Sequence, residues 1–533
     1  MHALLALSLL VAPSAAPQPS LVVVLVVDQL RYEDLQRMQE LLGPGGVAGI
    51  QARGTLLDGR YNTVNTETGP GHATLSTGAY ANEHGIVANH VWTPKGRSYV
   101  VEDQQSLTWG TPEPRRGRSP RPLRVPTVGD QLKVATSGRA RVVAVSGKDR
   151  SAVLTAGFAA DAALWWDPDQ ARYVSSSFYA EKPPAWVDRF NASHGLASLG
   201  GYRWEPLVSS EILARHARPE PARGEQDWLG LGTGFPKVIQ EPRIPKASWG
   251  TVIRSTPRMD EMTLELANAA VAQFDLGRRA DPDLLWVMLS GFDLIGHNFG
   301  PYSAERVDAL VRLNNALRAF VDGLEKRVGA GQLAIILTSD HGVTPIPEDT
   351  AQYRLPSGRA QMAAVGKAVD AYLDTAEGPR DWVTLFSPPH VWLERPAGQP
   401  VSCEHLEGAA RAAAQVEGVG RAVANCRLAS MASPTWLPFH HVADPERSGD
   451  ILVEVRPLWV WHDGQSDLSG TDHGSTSVTD QRVPLVLMVP PGYRIPSGYT
   501  EGPVDMRHVA PTLAALLGVT PPHAARLASL VVR

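Results

Sequence analysis

The sequence predicts an α/β sandwich in which a central, mostly parallel sheet is flanked by helices, and three observations carry that reading. Several strand-length apolar runs are followed at once by polar residues of the metal-binding type, as in buried parallel strands whose carboxyl ends open into a site. Helix-like stretches, such as 304–327 and 506–517, are interleaved with them. The chain has 533 residues, 43% hydrophobic and 20% charged, which suits a large soluble core or a core with insertions.

In chain order, the run 21–27 ends at Asp28, and 142–145 precedes Ser146, Gly147, Lys148, Asp149 and Arg150. The run 284–289 leads into Ser290, Gly291, Phe292 and Asp293, and 333–337 leads into Thr338, Ser339, Asp340 and His341. A fifth run, 483–489, reads as a core strand before the turn Pro490, Pro491, Gly492. The segment 111–127 is dense in Pro and Arg, so it cannot be a regular core element and is expected to be a solvated loop. From 356 to 449 the pattern loosens, which marks a candidate inserted cap subdomain, before Ile451–Val455 resumes a strand-like run. No repeat of fixed period is present.

A net charge of -5 lacks the basic excess of a nucleic-acid or anionic-membrane binder, so no nucleic-acid polymer is expected as partner. The opening MHALLALSLLVAPSAAPQP reads as a signal peptide, residues 1–16, although it lacks the usual Lys or Arg. Its apolar stretch is far shorter than the about 20 residues of a membrane span, and no later run is long enough either. Residues 17–533 are then the exported domain, periplasmic or extracellular. Cys403 and Cys426 are the only cysteines, and spacing leaves open whether they pair. Oligomeric state is equally open, and a monomer is compatible with the sequence.

Chemistry is concentrated in dispersed Asp and His residues at or just past strand ends: Asp28, Asp293 with His297, Asp340 with His341, and Asp472 with His473. Carboxylate oxygen and imidazole nitrogen suit zinc, and a catalytic site leaves a coordination position open. Singly, each residue reads equally well as a cap or turn residue; together, at successive strand ends, they point to a metal centre. Between them lies NTETGPGHATLSTG, 65–78, where Gly69, Pro70 and Gly71 predict a tight bend after Thr68, and ATLSTG predicts a helix start that favours an anion. A threonine hydroxyl next to a dication becomes a nucleophile. On local sequence alone Thr68 could equally be a turn residue.

The strings VVVLVVDQLR, TGPGHATLSTG, HGIVAN, GKDR, GFDLIGH, TSDHG, GTDHGS and VDMRHVAPTLAALLGV resemble, in order, the alkaline phosphatase superfamily. Within it they are similar to the threonine-nucleophile branch of PafA-like alkaline phosphatases and nucleotide pyrophosphatase/phosphodiesterases. The resemblance covers nearly the whole chain after residue 16. It implies an alkaline-phosphatase-like sandwich with two zinc ions, one held by Asp293, His297 and His473, the other by Asp28, Asp340, His341 and the Thr68 oxygen. It also implies Thr68 as nucleophile, Asn89 as a donor to a phosphoryl oxygen, and Lys148 with Arg150 as the cationic pair of the monoesterases. His72 and Asp472 match no ligand and are expected to support the site.

The expected activity is therefore hydrolysis of small phosphate monoesters through a phosphothreonine. An extra charged oxygen on a monoester matches a cationic pair, and Lys148 and Arg150, two apart, would share a face if the extended conformation continued. The alternatives are a phosphodiesterase or nucleotide pyrophosphatase using the same metals, and a non-catalytic binding protein that keeps the fold. A sulfatase is disfavoured because neither cysteine lies in a Cys-x-Pro-x-Arg pattern.

Overall fold

LVVVLVV, Leu21–Val27, is buried along its whole length, the pattern of a strand covered on both faces. It lies at the middle of a nine-stranded sheet. On one side it pairs in parallel with Asp283–Leu289, then Val142–Ser146 and Ala162–Asp167; on the other it pairs in parallel with Leu333–Thr338. Arg172–Val174 closes one edge antiparallel. Beyond Leu333–Thr338 the sheet continues through Arg482–Met488 and Thr55–Arg60, both antiparallel joints, and ends with Pro503–Asp505. The computed structural model describes residues 18–113, 116–220, 222–394, 400–464 and 470–533; the expected signal peptide, 1–16, lies outside them. None of the helices among the described residues is long and apolar enough to cross a membrane.

Register gathers the chemistry. Val27 stands opposite Leu289, Val26 opposite Thr338, and Met288 opposite Ser146, so the five parallel strands end along one rim. Asp28, Ser290 and Ser339 follow directly, and Lys148 comes one residue after Gly147.

Helices cover both faces because their apolar residues recur at three and four. In Ala304–Val328 the buried positions include Val307, Leu310, Leu317, Phe320 and Leu324, and the Ser303 hydroxyl caps its start by accepting from Arg306 N. The predicted 506–517 helix begins instead with a 3₁₀ turn, Met506–His508, before Val509–Leu517.

A second layer has its own sheet, in the order Val383–Ser387, His390–Leu393, Ile451–Val455, Val419–Ala424. Ile451–Val455 therefore belongs to this sheet and does not return the chain to the main one, as its apolar run had suggested. A ribbon joining Gly358–Gln361 to Trp459–His462 extends the layer past 449. Helices Met362–Glu377 and Cys403–Ala413 pack on one face through Val369, Leu373, Leu406 and Ala409. On the other face Trp392, Val423 and Leu452 meet Val64 and Val87 of the main body. Cys403 and Cys426 form a disulfide, with Cα atoms 6.1 Å apart.

The buried His390 fastens this junction, while the buried His84 is bonded within the main body. His390 Nε2 donates to Val87 O at 3.1 Å, while its Nδ1 accepts from Gly449 N at 3.2 Å. His84 Nδ1 accepts from Ile86 N at 3.0 Å. Burial holds His390 down to about 4 and His84 down to about 3.

Among its described residues, the Arg-rich 111–127 stretch is not a freely solvated loop. Arg116 pairs with Asp167, Arg118 with Asp149, Arg121 with Asp103, and Arg124 with Asp444 and Glu446. Ser119, Leu123, Val125 and Thr127 are buried.

Candidate active site

Thr68 is the first residue of the helix Thr68–Thr77, and Glu67 precedes it in extended conformation. The bend expected at Gly69, Pro70 and Gly71 is thus the first helical turn. Proline fits there because the first amide groups of a helix have no internal acceptor. The glycines permit close approach: a Cβ on Gly71 would stand 2.5 Å from the Asp340 carbonyl oxygen, and one on Gly69 2.8 Å from Asn89 Oδ1. Gly69 N donates to that Asn89 oxygen at 2.9 Å, which turns the Asn89 amide nitrogen outward as a donor.

The buried Thr68 Oγ1 lies 3.3 Å from each of Lys148 Nζ, Arg150 Nη2 and His341 Nε2. Lys148 ends the extended run and Arg150 sits inside the helix Asp149–Ala156. It is a turn into helix, not one extended face, that brings both to Thr68. Arg150 Nη1 donates to Tyr99 OH at 3.3 Å, and Tyr99 donates to Asp149, whose other oxygen takes Arg118. The Arg150 guanidinium is thus oriented by a phenol, and Asp149 is balanced by Arg118.

Asp293 and His297 occupy successive turns of Gly291–Phe299, so both point to one side. Asp260 accepts from Gly291 N at 2.7 Å and Phe292 N at 3.0 Å, fixing the start of that helix. Ligand atoms of Asp293, His297 and His473 lie within 4.8 Å of one another, as do those of Asp28, Asp293 and His341. Asp340 Oδ2 is 3.3 Å from His341 Nε2. All seven expected metal positions, Thr68 included, converge on one point at the sheet rim.

The donor set fits cations. His297 Nδ1 faces Thr471 O at 2.8 Å, His473 Nδ1 faces Thr66 O at 2.7 Å, and His341 Nδ1 faces Gly342 O at 3.0 Å. Each backbone carbonyl fixes its ring with Nε2 directed into the cluster, the arrangement of metal-binding histidines. Asp28 Oδ1 and Asp340 Oδ2 are buried without a hydrogen-bond partner. Lys148 Nζ lies 2.6 Å from both Asp28 Oδ2 and Asp293 Oδ2, one cation among three buried aspartates.

The shifts reflect that imbalance. Burial, then Asp293 and Asp340, push Asp28 up. Burial opposes charge at Asp293, but His297 and Lys148 hold it down overall; at Asp340 His341 and His72 outweigh burial likewise. His297 rises to about 9 because Asp293 overcomes its burial. Burial and His341 press His473 down to about 3. His72 supports Thr68 and Asp340, its Nδ1 2.9 Å from Thr68 O and 3.2 Å from Asp340 Oδ2. Asp472 accepts from His473 N at 2.9 Å.

Four residues escaped sequence reasoning. Gln29, at positive φ, donates to Asp293 Oδ1 at 2.9 Å, and Arg306 donates to Gln29 Oε1 at 3.1 Å. Gln29 had a signal, being adjacent to Asp28 in the first motif; Arg306 and Asp260 had none. Glu67, half-buried, accepts from Asn89 N at 2.7 Å, and desolvation pushes it up to about 7. The mouth is a cleft of about 420 Å³ where Asn89, Arg150 and His473 face Arg359, Met362 and Trp461 of the second layer.

Residues 22–476 match the model of the type I phosphodiesterase / nucleotide pyrophosphatase family. The chain belongs to that family. Within it, the chain is 30% identical to alkaline phosphatase PhoV of Synechococcus elongatus, over 96% of this chain and 93% of that one. It is also 30% identical to alkaline phosphatase PafA of Elizabethkingia meningoseptica, over 96% and 94%. The crystal structure of wild-type PafA superposes with a TM-score of 0.87 at 28% identity, covering 97% of this chain and 99% of that one. The fold expectation, a mostly parallel sheet between helices, agrees with that superposition.

Proposed function

We propose that this alkaline phosphatase, a phosphomonoester hydrolase, works through a phosphothreonine at Thr68 with two zinc ions as its divalent metals. The observation that carries the reading is the convergence of Thr68, Lys148, Arg150 and the Asp and His cluster on one rim. Asp293, His297 and His473 would hold one ion, and Asp28, Asp340, His341 and Thr68 the other. When bound, the ions supply Lewis acidity that favours the threonine alkoxide and offsets charge on the leaving oxygen.

Thr68 Oγ1 forms the new bond to phosphorus while the ester P–O bond breaks in line, and the alcohol leaves with a proton. Water then attacks the phosphothreonine, freeing phosphate and returning the hydroxyl. Lys148, Arg150 and the outward Asn89 amide meet the non-bridging oxygens, where charge accumulates. Two fixed cations favour a dianionic monoester over a diester, in which one of those oxygens carries an organic group. Small phosphate esters are the substrates, in keeping with the alkaline phosphatases the chain resembles. Export through the 1–16 segment belongs to the same proposal.

The test compares kcat/KM for an aryl phosphate and its bis-aryl diester on metal-analysed protein. The monoester should be preferred, and Lys148→Ala with Arg150→Ala should reduce monoester turnover more than diester turnover. A strong diester preference in the unsubstituted enzyme overturns the assignment and leaves the diesterase reading.

A further inference from the structure

Behind the catalytic helix, three carboxylates meet. One oxygen of each of Glu220, Glu225 and Glu305 lies within 4.8 Å of the others. The side chains of Glu225 and Glu305 are wholly buried. Glu225 Oε2 and Glu305 Oε2 accept no hydrogen bond. Arg218 reaches Glu225 Oε1 at 2.8 Å, but shares its charge with Asp349 at 3.2 Å. Lys237 Nζ reaches Glu305 Oε1 at 2.8 Å and also donates to Gly232 O. Four carboxylates thus face two cations, and buried carboxylate oxygens are left bare, which requires a further cation or a proton. Burial and Glu305 push Glu225 up to about 8, the mark of uncompensated negative charge.

We propose that Glu220, Glu225 and Glu305 form a calcium site distinct from the catalytic centre. The donors are all carboxylate oxygen, with no imidazole or thiolate, so a hard cation fits and zinc or copper does not. Calcium accepts several carboxylates in flexible geometry, whereas magnesium keeps its waters and resists an enclosed protein cage. Glu220 stands at a cleft bordered by Pro219, Thr233, Phe235 and Ala304, which gives the ion a way in.

The position gives the ion a purpose. Glu305 opens the long helix Ala304–Val328, while Arg218 Nη2 donates to Phe299 O and Gln226 N to Asn298 O, each at 2.8 Å. Those carbonyls end the helix that carries Asp293 and His297. Gly470 N, from the segment leading to His473, bonds Gly224 O, and Thr471 N bonds His297 O. Calcium therefore clamps Arg218, Glu225 and Gln226 against the end of the helix that carries His297.

The experiment titrates calcium into holoenzyme whose catalytic metals are retained, reading uptake by equilibrium dialysis and melting by calorimetry. One equivalent should bind saturably and raise Tm by several degrees. Glu220→Gln and Glu225→Gln should each weaken binding at least tenfold and abolish the Tm response. In calcium-free buffer Glu225→Gln should melt no lower than the unsubstituted protein, because it removes one of four carboxylates that share two cations. Arg150→Ala, which removes no metal ligand, should bind calcium unchanged. No saturable uptake at millimolar calcium, undiminished uptake in both glutamine variants, or loss of uptake in Arg150→Ala would overturn the site.

Discussion

Thr68 sits where a helix begins, and its hydroxyl faces two cations at once. Replacing Thr68 with Ala should lower monoester turnover by roughly three orders of magnitude or more, the scale on which loss of a nucleophile acts. Tm should hold, and Thr68→Ser should restore most of the rate. Turnover unchanged in the alanine variant would remove the nucleophile role. Gly71 offers a sharper geometric probe, because an added Cβ would press on the Asp340 carbonyl. Gly71→Ala is expected to cost about 1–3 kcal/mol and to reduce retained metal, measured by elemental analysis after dialysis. At this scale the sequence was most informative: Asp28, Asp293, Asp340 and His341 stood out because each follows a strand run. Asp260 and Arg306 did not, since they act through backbone and side-chain contacts that only tertiary packing creates.

Elements were legible where local composition leaves one solution. Leu21–Val27 and Leu333–Thr338 are continuous apolar runs of strand length, and both are central strands. Two readings failed for definite reasons. Gly69-Pro70-Gly71 looks like a turn by composition, yet Pro70 falls in the first helical turn, where proline is tolerated. Ile451–Val455 was recognisable as a strand, but apolar content cannot say which sheet a strand joins. The second layer gives a prediction of its own. Closing the 23-residue separation with Cys403–Cys426 should contribute about 3 kcal/mol in the chain-entropy account. Cys403→Ser with Cys426→Ser should lower Tm accordingly while leaving aryl phosphate turnover near that of the unsubstituted enzyme; an equal loss of kcat would show the layer to be part of the chemical step.

Across the two layers of the molecule runs a bond from a histidine, His390, that must stay neutral. His390 accepts a backbone N–H through Nδ1 and donates through Nε2, a pattern that protonation destroys. Its folded value, about 4, lies below the unfolded 6.5, so the unfolded chain binds the proton more readily and stability falls with pH. This stabilisation is complete above 6.5 and is lost as pH drops through about 4, a difference of roughly 3 kcal/mol. Unfolding midpoints in denaturant between pH 7 and 4 should show the decline, and His390→Gln should flatten it. An identical profile in that variant would locate the acid sensitivity elsewhere.

The ligands gathered at the rim come from positions 28 through 473, and the strand before Asp28 is inserted between two strands made much later. No stretch of the growing chain therefore owns a complete active site. Catalysis must wait until Asp283–Leu289 and Leu333–Thr338 have closed around the first strand and His473 has reached the rim. Recovered activity during refolding would then report a finished sheet, with no weakly active forerunner.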